Sequence, residues 1–278
     1  MNEPKLYLKV GKQDEVDVTK AIPSLEFLGA DESTVMLNTY QTSVAQDGQT
    51  VQAINYDKYV INANFLFNFS DWYDFKLIKH EIYRLFQQRQ IMRIRTDAEP
   101  MLVQFVTPTT FEIKPISDGA NEAKFTIPFD NPSGYKYSML RSDELVKNNE
   151  NNWQFGMNLP AENLQYTFTK ARFKLFNASD IKIDPYYQRH DLILKINFNG
   201  SNLKITNNTT QTNWSYNKPA KKTDQIFLNG IITTLNGKPA SVNTDYGNLI
   251  LAPGWNEISV SGAIDFKITF SFPFIYIG

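Results

Sequence analysis

From Val60 to Phe69 the chain alternates strictly, with Ile61, Ala63, Phe65, Phe67 and Phe69 on one set of positions and Val60, Asn62, Asn64, Leu66 and Asn68 on the other. Successive side chains of a strand point to opposite faces, so this stretch is a strand with one apolar, phenylalanine-rich face. The residues that follow change period. Ser70 and Asp71 offer side-chain oxygens to orphan amides, Asp74 adds negative charge to a first turn, and apolar residues recur at Trp72, Phe75, Ile78, Ile82, Leu85 and Phe86. This predicts an amphipathic helix over Asp71 to Gln88, about four or five turns at 3.6 residues per turn. Strand chemistry resumes at Ile91 to Arg95 and Met101 to Val106, around a turn at Pro100, and again at Phe111 to Lys114 and Ala123 to Phe129.

The rest of the chain reads as strands. Aromatic residues make up 14% of the whole chain, with 20 Phe and 14 Tyr, and turn residues recur every 8 to 12 positions, the spacing of short antiparallel strands. The fold class is therefore mainly β. At 278 residues the chain is near the size at which single cores stop growing, which favours two domains. The polar run Arg141 to Asn152, preceded by Asn131-Pro132-Ser133-Gly134, reads as the linker region, giving domains 1–138 and 139–278. Within the first, Asp47-Gly48 in the polar loop Ala45 to Gln49 suits a hairpin turn, so Glu26 to Val60 reads as a projecting hairpin.

Beyond Trp153 the pattern predicts an all-β sandwich. His190 to Phe198 alternates and ends at Asn199-Gly200, and Leu203 to Thr206 answers it as a hairpin partner. Leu228-Asn229-Gly230 and Leu235-Asn236-Gly237 repeat the turn signal. Asn248 to Ala252, Glu257 to Ser261 and Ile264 to Ile277 read as further strands, with Ser261-Gly262-Ala263 as a turn.

Charge and composition exclude several classes of function. The net charge is −1, with 14 Lys and Arg against 18 Asp and Glu up to Ser138 and 14 against 11 beyond it. Neither half carries an electrostatic footprint for nucleic acid or an anionic membrane. Cysteine is absent, which removes disulfides and thiolate zinc sites and suits a reducing compartment. Met1-Asn2-Glu3-Pro4-Lys5 lacks a basic flank before an apolar run, and no apolar segment of about 18 residues occurs, so a soluble chain without a secretion address is expected. The six Asn-x-Ser/Thr sequons, at Asn68, Asn177, Asn199, Asn207, Asn208 and Asn213, are then composition alone.

No catalytic, metal or cofactor constellation emerges. His80 and His190 have no companion at ligand spacing and read as surface or edge histidines. There is no nucleophile elbow, Walker loop or dinucleotide fingerprint. Asp184 and Asp191, the best carboxylate pair for glycoside hydrolysis, bracket a Pro-Tyr-Tyr turn and read better as turn chemistry. Trp153, Trp214 and Trp255 are the candidate carbohydrate site, a stacking platform, although Trp214 between Asn213 and Ser215 also reads as an inward core residue.

Taken in order, these segments resemble the distal tail proteins of siphophages infecting Gram-positive bacteria. The first half is similar in its Phe- and Asn-rich strand, the helix Asp71 to Gln88, the pair Ile91 to Arg95 and Met101 to Val106, and Phe125-Thr126-Ile127-Pro128-Phe129 followed by Pro132 and Ser138. The second half resembles the family's galectin-like sandwich in Phe176 to Asp180, Asp184-Pro185, Phe198-Asn199-Gly200, Ile205 to Asn207, Leu228 to Gly230, Leu251 to Asn256 and Phe272 to Tyr276. The resemblance implies an N-terminal β-sandwich-like domain with one α-helix and a projecting hairpin, and a C-terminal galectin-like β-sandwich. It further implies a non-enzymatic tail-tip hub: a hexameric ring formed through the first domain, between the tail tube protein and the tail-tip spike or lysin, with a channel for DNA. The location would be the distal end of a phage tail assembled in the bacterial host cytoplasm, encoded by a phage or a prophage. A receptor-binding protein is a further candidate partner, but Trp153 to Gly278 is about one plain sandwich, without room for the insertions by which some relatives grip one. No residue type marks the oligomer interface, and no cofactor, specific nucleic-acid contact or membrane contact is expected. The alternative is a carbohydrate-binding β-sandwich protein.

Overall fold

A computed structural model of the chain describes residues 3–45, 47–145, 152–160 and 162–278. The chain is mainly β, with 49% strand and 10% helix. It divides into two compact units, Met1–Lys136 with Ile277–Gly278, and Tyr137–Tyr276.

In the first unit the strands Val16–Asp17, Leu6–Val10, Met92–Thr96, Leu102–Pro108, Glu122–Asn131, Tyr59–Asn68 and Leu25–Asp31 hydrogen-bond to one another in that order, each pair antiparallel. Tyr59–Asn68 lies inside this sheet. It pairs with Glu122–Asn131 along its whole length, from Tyr59 opposite Asn131 to Asn68 opposite Glu122, and with Leu25–Asp31 on its other side. Its alternation becomes burial: Tyr59, Ile61, Ala63, Phe65 and Phe67 are buried.

The helix runs Trp72–Phe86 and buries Phe75, Ile78, Ile82 and Phe86. Asp71 caps it by accepting from the Tyr73 and Asp74 amides at 2.8 and 2.9 Å, while the Asp74 carboxylate reaches back to the Ser70 amide at 2.8 Å. Ser70 thus contributes its backbone rather than its hydroxyl. Trp72, expected on the apolar stripe, is 56% exposed, with the Lys76 ammonium 4.8 Å from its ring centroid. The core centres on Phe65, whose ring centroid lies 5.5 Å from Phe27, 5.6 Å from Phe86 and 5.5 Å from Phe125.

Phe111 to Lys114, expected as a strand, is irregular, although Phe111 and Ile113 are buried. Helix side chains take the place of a strand partner there: the Lys79 ammonium donates to the Ile113 carbonyl at 2.8 Å and the Tyr83 hydroxyl to the Phe111 carbonyl at 3.2 Å. The hairpin is shorter than Glu26 to Val60, because its outer segments belong to the main sheet. Val35–Gln41 and Thr50–Asp57 form a two-stranded sheet of their own, from Val35 opposite Asp57 to Gln41 opposite Thr50. Gln46, in its predicted turn, lies outside the described residues, as do residues 146–151 of the polar run Arg141 to Asn152.

In the second unit the strands Thr167–Phe168, Gly254–Ser271, Ile193–Asn207, Ile226–Asn229, Ile232–Leu235 and Lys238–Pro239 follow one another in the sheet, with Arg172–Asn177 also on Gly254–Ser271 and Thr212–Tyr216 also on Ile193–Asn207. Asn199-Gly200 and Ser261-Gly262-Ala263 are not hairpin turns. Each lies within one long strand, and the two strands pair through both sites with register shifts around Gly200. Gly200 has φ +146° and Gly262 φ +80°; a Cβ on Gly200 would sit 2.7 Å from the Gly262 carbonyl oxygen, so glycine permits a bulge where the dipeptide pattern reads as a turn. Asn248 to Ala252 is not a strand either: it makes a single bridge, Leu251 to Ile183. Asn207 and Thr210 side chains bond the Ile250 carbonyl, and the Thr212 hydroxyl accepts from its amide at 3.0 Å, replacing a ladder.

Replacing Phe65 by Ala should cost about 3–5 kcal/mol, the range for buried Phe truncation. Val60→Ala, on the 41% exposed face of the same strand, should stay within about 1 kcal/mol. Denaturant unfolding of the two variants checks this, and equal losses would remove Phe65 from the centre of the core.

Candidate functional site

The sequence-predicted positions fall in different environments. Trp214 is 1% exposed in the second unit's core, next to Tyr216, and has no face for a ligand. Trp153 and Trp255 are exposed; each makes an edge contact, with Phe155 at 5.9 Å and Phe176 at 5.0 Å. Asp184 is buried and its carboxylate accepts from the Tyr186 and Tyr187 amides at 3.1 and 3.0 Å, which is turn chemistry. Asp191 instead takes the Arg141 guanidinium in a two-point pair.

His80 is exposed on the helix. His190, expected at a surface or edge, is buried: its Nδ1 lies 3.1 Å from both the Asp184 amide and the Lys182 carbonyl, and burial pulls the imidazole below its ordinary value. The same Asp184 turn that closes around Tyr186 and Tyr187 folds His190 inward. Among the described residues, no group of His, Cys, Asp and Glu could hold a metal ion, and no helix is long and apolar enough to cross a membrane. A hollow of about 180 Å³ beside the helix, lined by Val10, Gln13, Ile22, Glu81, Arg84 and Gln88, contains no nucleophile and base pair.

The hairpin presents a run of apolar side chains to solvent. Val35, Met36, Leu37, Tyr40, Val44, Val51 and Ile54 are all exposed on it, Val44 completely, and every position of Val35–Gln41 is exposed. A lone two-stranded sheet is marginal in water, and clustered exposed apolar side chains mark an interaction surface. This arm is the candidate functional site.

Its root is held by charge. The Lys136 ammonium, 7% exposed, bonds the Glu99 carboxylate at 2.7 Å and contacts Glu32, three residues before the arm; Gln104 donates to the other Glu32 oxygen at 2.6 Å. Burial pushes the ammonium down, but Glu32 and Glu99 outweigh it and hold Lys136 above the ordinary lysine value. A second cluster lies on the sheet: Glu15 accepts from Arg93 at 2.9 Å and from Arg95 at 2.6 Å, and the Arg95 guanidinium lies 3.9 Å from the Tyr7 ring centroid. Burial pushes the Glu15 carboxyl up, and the two arginines outweigh it and hold it below the usual range. Neither cluster was anticipated. Arg93 and Arg95 at alternate strand positions were the available signal for the second, since such residues share a face.

Three comparisons bear on identity. Residues 14–131 match the family model of the phage tail protein RIFT-related domain. No curated protein matches the chain. The Dit protein of phage SPP1, described as a paradigm of the hub adsorption apparatus in phages infecting Gram-positive bacteria, superposes with a TM-score of 0.65 at 11% identity, over 97% of this chain and 99% of its own. Chains of the phage p2 baseplate in its activated conformation superpose at 0.48 with Sr and 0.46 with Ca, each at 11% identity over 98% of both chains. The expected resemblance to siphophage distal tail proteins is met in the fold and, over residues 14–131, in the domain family.

The Glu15 cluster should make the first unit acid-sensitive. With its folded value lowered, Glu15 adds stability that is fully present above the ordinary 4.5 and is lost as pH falls below it. Thermal midpoints measured between about pH 6 and about pH 3 should drop less steeply in Glu15→Gln than in the unchanged chain. Parallel curves would show that the pairs contribute nothing.

Proposed function

We propose that this chain, whose residues 14–131 match a phage tail domain, is a distal tail hub protein, forming a hexameric ring that joins the tail tube to the tail-tip adsorption apparatus and leaves a channel for DNA. That domain match is the observation that carries the reading. The fold shared with SPP1 Dit along nearly the whole chain supports it. In this reading residues 1–138 are the ring-forming domain and residues 139–278 a galectin-like sandwich, and the role is structural rather than enzymatic. A hub must match the rotational symmetry of the tube above it, and a closed cyclic ring repeats one heterologous patch around its axis. The arm supplies one side of such a patch: it exposes Val35, Met36, Leu37, Tyr40, Val44, Val51 and Ile54 and carries no charged residue from Val35 to Tyr56 other than Asp47. Partners are a second copy of the chain, the tail tube protein and the spike or lysin, with a receptor-binding protein as a further candidate; the location is the distal end of a virion tail, from a phage or a prophage.

Of its three tryptophans, the carbohydrate reading keeps Trp153 and Trp255 facing solvent and loses Trp214, which is enclosed. Calorimetry against a sugar panel should give no binding, or binding near millimolar, about −4 kcal/mol. Micromolar binding abolished by Trp255→Ala in a folded protein would favour the alternative.

Mass photometry and negative-stain microscopy should show closed rings of six, for the purified chain at raised concentration or when it is coexpressed with its tail tube protein. A chain that stays monomeric under both conditions would leave the hub reading without a mechanism.

A further inference from the structure

The arm meets the rest of the first unit through two short legs, at residues 32–34 and 56–58, and both legs are tied to one segment, Asp130–Lys136. On the first leg, Glu32 contacts the buried Lys136 ammonium. On the second, the Tyr56 ring lies edge-on to Tyr135 at 5.6 Å, and Lys58 reaches Asp130 at 3.1 Å. Gly134 lies against the same leg, so close that a Cβ there would sit 2.6 Å from the Asp57 carbonyl oxygen.

The segment is itself stiff. The fully buried Asn131 donates to the Tyr135 carbonyl at 2.9 Å and accepts from the Ser133 amide at 3.2 Å and its hydroxyl at 2.8 Å, and Gly134 takes φ +73° to close the turn. The exposed Lys58 pair contributes little, so the buried ammonium and the tyrosine contact carry the hold.

We propose that Asp130–Lys136 is a root clamp that sets the direction of the arm before assembly, with Lys136 and Tyr135 as positioning residues for the subunit contact. A two-stranded ribbon free at its root samples many directions, and fixing one on binding costs free energy that a clamped arm has already lost. The assembly half of this inference rests on the proposed ring; the clamp itself does not.

The test separates the two. Hydrogen exchange is measured on the free protein at the root register pairs, Val35 with Asp57, Met36 with Tyr56 and Leu37 with Asn55. Two variants are compared with the unchanged chain: Tyr135→Leu, at a half-buried position, and Lys136→Met combined with Glu32→Gln and Glu99→Gln, which leaves no buried charge of the triad unpaired. Both should keep the protection of Tyr59–Asn68, lose it at the root pairs, and raise the concentration for half-assembly about tenfold, equivalent to about 1.4 kcal/mol. Unchanged protection at the root pairs would overturn the clamp, and lost protection with unchanged assembly would overturn its positioning role. A chain with residues 36–56 replaced by a short glycine and serine turn separates these outcomes from failure of the arm reading itself: undiminished rings from that chain would show that the arm is not the contact at all.

Discussion

The first unit depends on the enclosure of Phe65. Its ring is wholly buried between the neighbouring strands and the helix, touching Phe27 and Phe125 across the sheet and Phe86 from above. Phe67 repeats the arrangement one pleat along, with Phe75 stacked at 5.9 Å and Phe125 edge-on at 6.1 Å. Large aromatic rings at these separations add directional preference to area burial. The strand register and the helix position are therefore fixed together, because a one-residue slip of Tyr59–Asn68 would turn every phenylalanine to solvent.

That core leaves the arm outside it, with packing contacts at its root, where Tyr56 meets Tyr135 and Asp57 meets Gly134. The chain spends buried charge at its base: Lys136 is held between Glu32 and Glu99, with Gln104 completing the Glu32 carboxylate. Buried ion pairs are weak sources of net stability, and replacing them by apolar residues is often neutral or better. What they supply is one geometry, since the ammonium meets both carboxylates only when the first leg and the loop at Glu99 are in place. An exposed ribbon on a fixed root is the geometry that the proposed contact with a second copy of the chain would need.

The second unit is ordered by a different device. Its two longest strands stay paired through irregularities at Gly200 and Gly262, where backbones approach too closely for a side chain. Asn177, Asn207 and Asn256 are buried and bond backbone carbonyls of the Leu249 to Gly254 region, which orders a segment without a ladder. Two of the three, Asn177 and Asn207, lie in Asn-x-Ser/Thr sequons, and there the side chain is taken up by the fold.

Much of the architecture was legible in local pattern. Alternation from Val60 to Phe69 determined that strand, and the 3.6-residue period with Asp71 determined the helix, because both periods follow from backbone geometry. The resemblance to phage tail proteins also came from the order of such segments. What only the tertiary structure decided depends on residues distant in sequence. Asn-Gly at Asn199-Gly200 has the same local chemistry in a turn and in a bulge, and only the partner strand Gly254–Ser271 running through both sites separates them. Phe111 to Lys114 lost its strand to helix side chains, and His190 was enclosed by the Asp184 turn and Lys182. The clamp joins Glu32, Glu99 and Lys136, and no spacing rule connects them, because periodicity reports only neighbours along one element whereas a buried charge finds its partners through the fold.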